Sequence, residues 1–169
     1  MFPLRAALLS LFVAAGQPAL AADLAKPVTM EGFFAGHSRG KGVFTAINGV
    51  KRSFDVSLTG RWNGRTLTLR EDFVFSDGER DRKTWRFVKT GPGRYTGTRE
   101  DVVGETTVRF EGNVARFAYN VALDPKKPRN TVRFFDKIVF SSDGRSAKNT
   151  ATVFKWLLPV ARVRVDFTR

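Results

Sequence analysis

Two carboxylates occupy positions where the surrounding pattern calls for apolar side chains. Glu71 falls between Leu69 and Phe73 in parity, and Asp136 between Phe134 and Ile138. A carboxylate turned into an apolar interior is unfavourable by several kcal/mol unless a counter-charge, a hydrogen bond or water reaches it. Arg99, which shares a strand face with Tyr95 and Asp101, and Lys155, which shares one with Val153 and Leu157, are the candidate partners. Three chemistries fit such a set. It can be a buried ion-pair network that pins strand register, or the polar patch of a ligand cavity, since perturbed acids gather at functional sites. It can also be a two-carboxylate hydrolase, although nothing in the sequence fixes the spacing that this reaction needs.

Other chemistries find less support. His37 is the single histidine. It stands in the glycine-rich stretch AGHSRGKG without a G-x-S-x-G elbow, and it reads as a turn or barrel-rim residue rather than a triad member. The glycines at 36, 40 and 42 do not link a strand to a helix, so they do not make a phosphate loop. No cluster of His, Cys and carboxylates has metal-ligand spacing, and no metal or cofactor is expected. The chain has no cysteine. Disulfides, thiol catalysis and a cysteine-anchored lipid are therefore excluded.

The elements that must position these groups are strands. Asn48-Gly49, Asn63-Gly64, Asp77-Gly78, Gly91-Pro92-Gly93, Gly112-Asn113 and Asp143-Gly144 punctuate the chain at short intervals. Asn-Gly and Asp-Gly supply the positive φ angles of tight hairpins. Between them apolar and polar residues alternate: Phe54, Val56 and Leu58 against Asp55, Ser57 and Thr59; Trp85 and Phe87 against Arg86; Phe117, Tyr119 and Val121 on one parity. About nine or ten strands follow, beginning at Glu31. No amphipathic helix stands out. The one ambiguous stretch, Ala151 to Leu158, reads as strand because β-branched residues precede it, with a break at Pro159. A long antiparallel meander that manages its edges curls into a barrel.

With 169 residues the sequence suggests one domain after a leader. Residues 1–21 read as a secretory signal peptide: Arg5, an apolar run from Ala6 to Ala15, then Ala19-Leu20-Ala21 as cleavage site. Residues 22–169 form the predicted barrel domain, after a short tether. The formal charge is +13. In an exported protein such a balance favours anionic lipid or cell-wall polymer over nucleic acid. Arg109, Arg133, Lys137, Arg162 and Arg164 are scattered over polar-face positions, which is the pattern of a basic exterior rather than a focused patch. The 16 phenylalanines supply the large apolar groups that a disulfide-free core requires.

Taken together, EGFFAG, REDFVFSDGE, the Trp of KTWRF, GRYTGTREDVVGE, FEGNVARFAY, FFDKIVF and the late AKNT followed by FK resemble the bacterial domain-of-unknown-function family 3833. The resemblance runs from about Glu31 to Arg169. It implies an exported, lipocalin-like β-barrel, usually of lipoprotein type, with a lean toward acyl lipids. It picks out Glu71, Trp85, Tyr95, Gly97, Asp101, Gly104, Asn113, Tyr119, Asp136, Asn149 and Lys155. This chain lacks the lipobox cysteine, so a periplasmic or secreted protein without a lipid anchor is expected.

The sequence thus predicts an all-β protein: an antiparallel meander closing into a calycin-type barrel of about eight to ten strands. We expect a binding protein, not an enzyme, for an apolar or amphipathic small ligand such as a fatty acyl lipid. Glu71, Trp85, Tyr95, Arg99, Asp101, Asn113, Tyr119, Asp136, Asn149 and Lys155 are its expected ligand-binding residues. The alternatives are an interaction protein that sets a basic surface on anionic membrane lipid, and a lipid-modifying enzyme. A monomer is expected, with no nucleic-acid partner.

Overall fold

A computed structural model describes residues 28–124, 126–127 and 129–169. The expected signal peptide and most of the tether lie outside the described residues. A short helix α1 (Met30–Phe34) precedes ten strands: β1 (Gly36–Ala46), β2 (Lys51–Trp62), β3 (Thr66–Phe75), β4 (Arg80–Gly91), β5 (Arg94–Thr98), β6 (Thr106–Glu111), β7 (Val114–Ala122), β8 (Thr131–Phe140), β9 (Ser146–Lys155) and β10 (Leu158–Thr168). Each strand pairs antiparallel with its neighbour in sequence. β1 then pairs with β10, from Arg39 opposite Thr168 to Ala46 opposite Ala161, and closes the barrel. Closure leaves no strand with a free row of N–H and C=O groups.

The turns fall where the Gly-containing pairs put them. Gly49, Gly64, Gly78, Gly93, Gly112 and Gly144 all take positive φ, the conformation that glycine adopts without a Cβ clash. Parity then sets the two faces. Along β2, Phe54, Val56 and Leu58 are buried while Ser53, Asp55 and Ser57 face solvent. The arginines at 109, 133, 162 and 164 lie on the exposed side, so the basic exterior is as the alternation predicted.

One end of the barrel is a floor. Thr29 caps α1 by accepting the Gly32 N–H at 2.9 Å. Met30, Phe33 and Phe34 are buried on the inner face of this single turn. Their rings pack edge-on against the strands, Phe33 on Phe140 at 5.3 Å and Phe34 on Phe167 at 5.6 Å. The expectation of a strand from Glu31 is therefore corrected. A strand would have sent Phe33 and Phe34 to opposite faces, one of them into water. The spacing 30, 33, 34 puts all three on one helical face.

The last hairpin is corrected as well. β9 stops at Lys155, Trp156 and Leu157 form the turn, and β10 begins at Leu158. Pro159 lies inside β10 rather than ending a strand. It sits one residue from the strand start, where pairing shifts register before Ala161, and a missing N–H is tolerated at such a place. His37 is the second residue of β1, exposed at the floor-end rim of the barrel, which is one of its two expected places, and not in a turn.

The floor rests on a bare stretch of backbone. A Cβ added at Gly60 would lie 1.8 Å from the Phe34 carbonyl oxygen and 2.8 Å from its carbon. Backbone atoms cannot swing aside as a side chain can. Gly60→Ala is therefore expected to lift α1 and destabilise the protein by about 1–3 kcal/mol, read as a shifted denaturant midpoint. An unchanged midpoint would show that α1 does not depend on this contact.

Candidate functional site

Above the floor the barrel encloses a cavity of about 230 Å³. It runs from Met30 and Phe34 up to Phe75, Asp81 and Lys83 beside the opposite end, here called the mouth. Parity dictates what faces it. Leu69, Glu71, Phe73 and Phe75 of β3 alternate inward, as do Asp81, Lys83, Trp85 and Phe87 of β4 and Phe134, Asp136 and Ile138 of β8. The two acids singled out by parity thus point into the interior, together with Asn149 and Ala151 of β9.

Arg99 is the hub of the polar set. It follows β5 on the inward parity, and its side chain is largely buried. Its Nε donates to Asp101 Oδ1 at 2.6 Å and its Nη2 to Asp101 Oδ2 at 3.3 Å. Glu71 Oε2 lies 3.9 Å from Nη1, at the outer limit of an ion pair. The guanidinium carbon sits 4.7 Å from the Trp85 ring centroid and 5.5 Å from that of Tyr119. The faces of aromatic rings attract a cation, and more strongly where water is excluded. Trp85 and Tyr119 meet edge to face at 5.0 Å, and Phe134 stacks on Tyr119 at 5.3 Å.

Opposite stands a smaller pair. Asn149 Nδ2 donates to Asp136 Oδ1 at 2.6 Å. Asp136 is only 6% exposed. Its second oxygen, Oδ2, and the Asn149 carbonyl oxygen Oδ1 are buried and accept no hydrogen bond. Burial first, and then the Asp136 charge, oppose ionisation of the Tyr119 phenol, which stands close enough to act on Asp136 as a hydrogen-bond donor but leaves Oδ2 outside strict hydrogen-bond geometry. Leaving a buried acceptor unmatched costs about 1–3 kcal/mol.

Burial sets the charge state of both acids. Glu71 is pushed up to about 7, by desolvation first; the Arg99 charge opposes this and Asp136 and Asp101 add to it. Desolvation lifts Asp136 to about 6 against hydrogen bonding from Asn149 and Tyr119 and against the Arg99 charge. Near neutral pH the cavity therefore holds exchangeable protons between two carboxyl groups and a fixed cation. It can accept hydrogen bonds at Asp136 and Asn149, and it can donate one from Glu71.

Six of the expected site residues gather here: Glu71, Trp85, Arg99, Tyr119, Asp136 and Asn149. Asp101 stands behind Arg99, where it also faces Lys83 Nζ at 3.4 Å. Three expectations are corrected. Tyr95 is fully buried near the floor, its hydroxyl donating to Glu31 Oε2 at 2.5 Å, with Lys89 Nζ on Oε1 at 2.6 Å. Although partial burial opposes it, those two hydrogen bonds hold the Glu31 carboxyl below its ordinary range. Asn113 sits at the β6–β7 turn and donates to the Phe140 carbonyl at 2.6 Å. Lys155 stands at the mouth end of β9, bonded to Asn130 and the Thr131 carbonyl, and pairs with neither acid. All three secure strand ends outside the cavity lining. Asp81 and Lys83 were missed, although they share the inward parity of Trp85 and carried the same signal as Glu71.

Comparison with known proteins places this geometry. The sequence profile of the family described as "Protein of unknown function (DUF3833)" matches residues 9–169. No curated protein sequence matches the chain. The crystal structure of Rv2717c from M. tuberculosis is similar, at 13% identity and a TM-score of 0.61, covering 80% of this chain and 92% of that one. The S-type phycobiliprotein lyase CPES from Guillardia theta is similar at 9% identity and a TM-score of 0.55, covering 83% and 91%. At these identities the likeness is one of fold.

Proposed function

The chain belongs to the DUF3833 family, and from the cavity its barrel encloses we propose that it is an exported binding protein for a small amphipathic molecule with a single acyl or similarly slender apolar part. The observation that carries this reading is the pair of unmatched acceptors, Asp136 Oδ2 and Asn149 Oδ1, buried beside an aromatic-walled space. A core built only for stability would match those atoms or omit them. A hydroxyl, amide or ammonium group on the ligand would donate to them, while its apolar part lay along Phe54, Phe73, Phe75 and Phe134 toward the mouth.

Size narrows the class. A cavity of about 230 Å³ lies just below the roughly 300–1,000 Å³ of drug-sized sites. One chain or a compact molecule suits it; a lipid with several chains does not. Export accords with the expected leader and with a basic exterior that contains no thiol.

The test is native mass spectrometry of the protein isolated from its own envelope under mild extraction, repeated after incubation with single-chain amphiphiles. One bound molecule per chain is expected. Ala151, buried opposite Asp136 in the β8–β9 register and lining the cavity, provides the control. Ala151→Leu fills the space without adding or removing a charge and is expected to weaken binding about tenfold or more while the protein still folds. Wild-type protein that never holds an amphiphile, or Ala151→Leu protein that binds equally well, would end the proposal.

A further inference from the structure

The five connections at the mouth differ in character around the rim. β9 and β10 are joined by Trp156 and Leu157, with Leu158 opening β10. These side chains are 85%, 91% and 64% exposed, and Ile47 on the β1–β2 turn is 79% exposed. The β1–β2 turn is held beside the start of β10, because the Ile47 N–H donates to the Val160 carbonyl at 2.8 Å. The result is an apolar tip at the rim whose side chains stay outside the core, with Lys155 Nζ 5.7 Å from the Trp156 ring centroid.

The backbone shows that this tip is not there to ease the turn. Trp156 has φ 55°, and at every other described position of positive φ the residue is glycine. Left-handed backbone is unfavourable for a bulky side chain. A strained, exposed tryptophan where glycine would fit points to a role for the ring itself.

The charge around the tip is one-sided. Lys51, Lys155 and the β7–β8 loop residues Lys126, Lys127 and Arg129 stand on or beside the same connections, where Asp124 is the one carboxylate among the described residues. Lys155 joins that loop to the tip through Asn130 and the Thr131 carbonyl. The acids of the rim lie on the other arc: Asp77 and Glu79, both engaged by Arg52, and Glu100, Asp101 and Glu105 beyond β5.

We propose that this arc of the mouth docks on an anionic phospholipid bilayer, with Trp156, Leu157, Leu158 and Ile47 entering the interfacial layer and the lysine and arginine groups contacting headgroup phosphates. Tryptophan favours that layer. Shallow insertion gains from buried apolar area and from cationic groups near an anionic surface. Docking in this pose sets the cavity mouth against the lipid, and it does not depend on whether the cavity holds a ligand.

The test is co-sedimentation with vesicles of phosphatidylglycerol and phosphatidylcholine in equal parts, and with phosphatidylcholine alone. Binding is expected to the first, to fade with salt, and to shift Trp156 emission to shorter wavelength. Trp156→Gly is expected to weaken it about tenfold or more while leaving the melting temperature unchanged or raised, since glycine relieves the backbone. Lys126→Glu/Lys127→Glu protein is expected to lose the preference for the anionic vesicles. Failure of the wild type to bind anionic vesicles, or equal binding by Trp156→Gly, overturns the proposal. So does a dimer that Trp156→Gly disperses without any vesicle binding, which would make a second copy the occupant. Because Ala151→Leu leaves the tip intact, its vesicle binding should equal wild type, which separates this proposal from the cavity reading.

Discussion

Replacing Arg99 with methionine is expected to destabilise the protein by about 3–5 kcal/mol, the range for stripping one partner from a buried charge pair. The guanidinium is bonded twice to Asp101, stands beside Glu71, and lies over the Trp85 and Tyr119 rings. Methionine keeps much of the apolar stem but not the guanidinium that lies over Trp85 and Tyr119. What it removes is the counter-charge, so Asp101 keeps only Lys83, at 3.4 Å. Chemical denaturation at neutral pH measures the loss. The deficit should narrow on acidification, because a protonated Glu71 no longer needs the cation. A loss below about 1 kcal/mol, the scale of an exposed pair, would mean that water reaches this group freely.

The second expectation concerns pH itself. Glu71 and Asp136 hold their protons more tightly in the folded protein, at about 7 and about 6, than at their ordinary values of 4.5 and 3.8. Where the folded state binds more protons than the unfolded one, stability falls as pH rises. The contribution of these two groups is thus fully present below their ordinary values and is lost as pH climbs through about 6 and about 7. For Glu71 alone it is on the order of 3 kcal/mol. Glu31 and Asp72, held below their ordinary range, act in the opposite sense and lose their contribution as pH falls into that range. The melting temperature should therefore be highest near the ordinary values of 4.5 and 3.8, where the two effects meet, and decline until about pH 7. Glu71→Gln/Asp136→Asn protein should show little of that decline. A wild-type profile flat from pH 5 to pH 8, or a decline that survives both substitutions, would contradict the buried-acid assignment.

Much of this was legible because it is local. Turn dipeptides fixed the hairpins, and parity alone turned Glu71 and Asp136 inward. Parity says which face a residue takes but not its height in the barrel. Tyr95 and Tyr119 both point inward, yet one is sealed near the floor by Glu31 and the other lines the cavity. Height depends on the stagger at which β1 meets β10, a pairing between strands far apart in the sequence that no short window contains. The helix was missed for a different reason. Phe33-Phe34 looks like a buried strand until the positions 30, 33 and 34 are counted together with the Thr29 cap.

The seam between β1 and β10 also governs the timing of folding. Its register ends at Thr168, and the next residue, Arg169, donates to the carbonyls of Gly32 in α1 and of Ala35, which caps it. The opening segment of the fold is clasped by the residue that follows β10, so the cylinder is not finished until β10 is in place. Contacts of such long sequence separation form slowly. A product truncated within β10 would carry two raw sheet edges and no enclosed space.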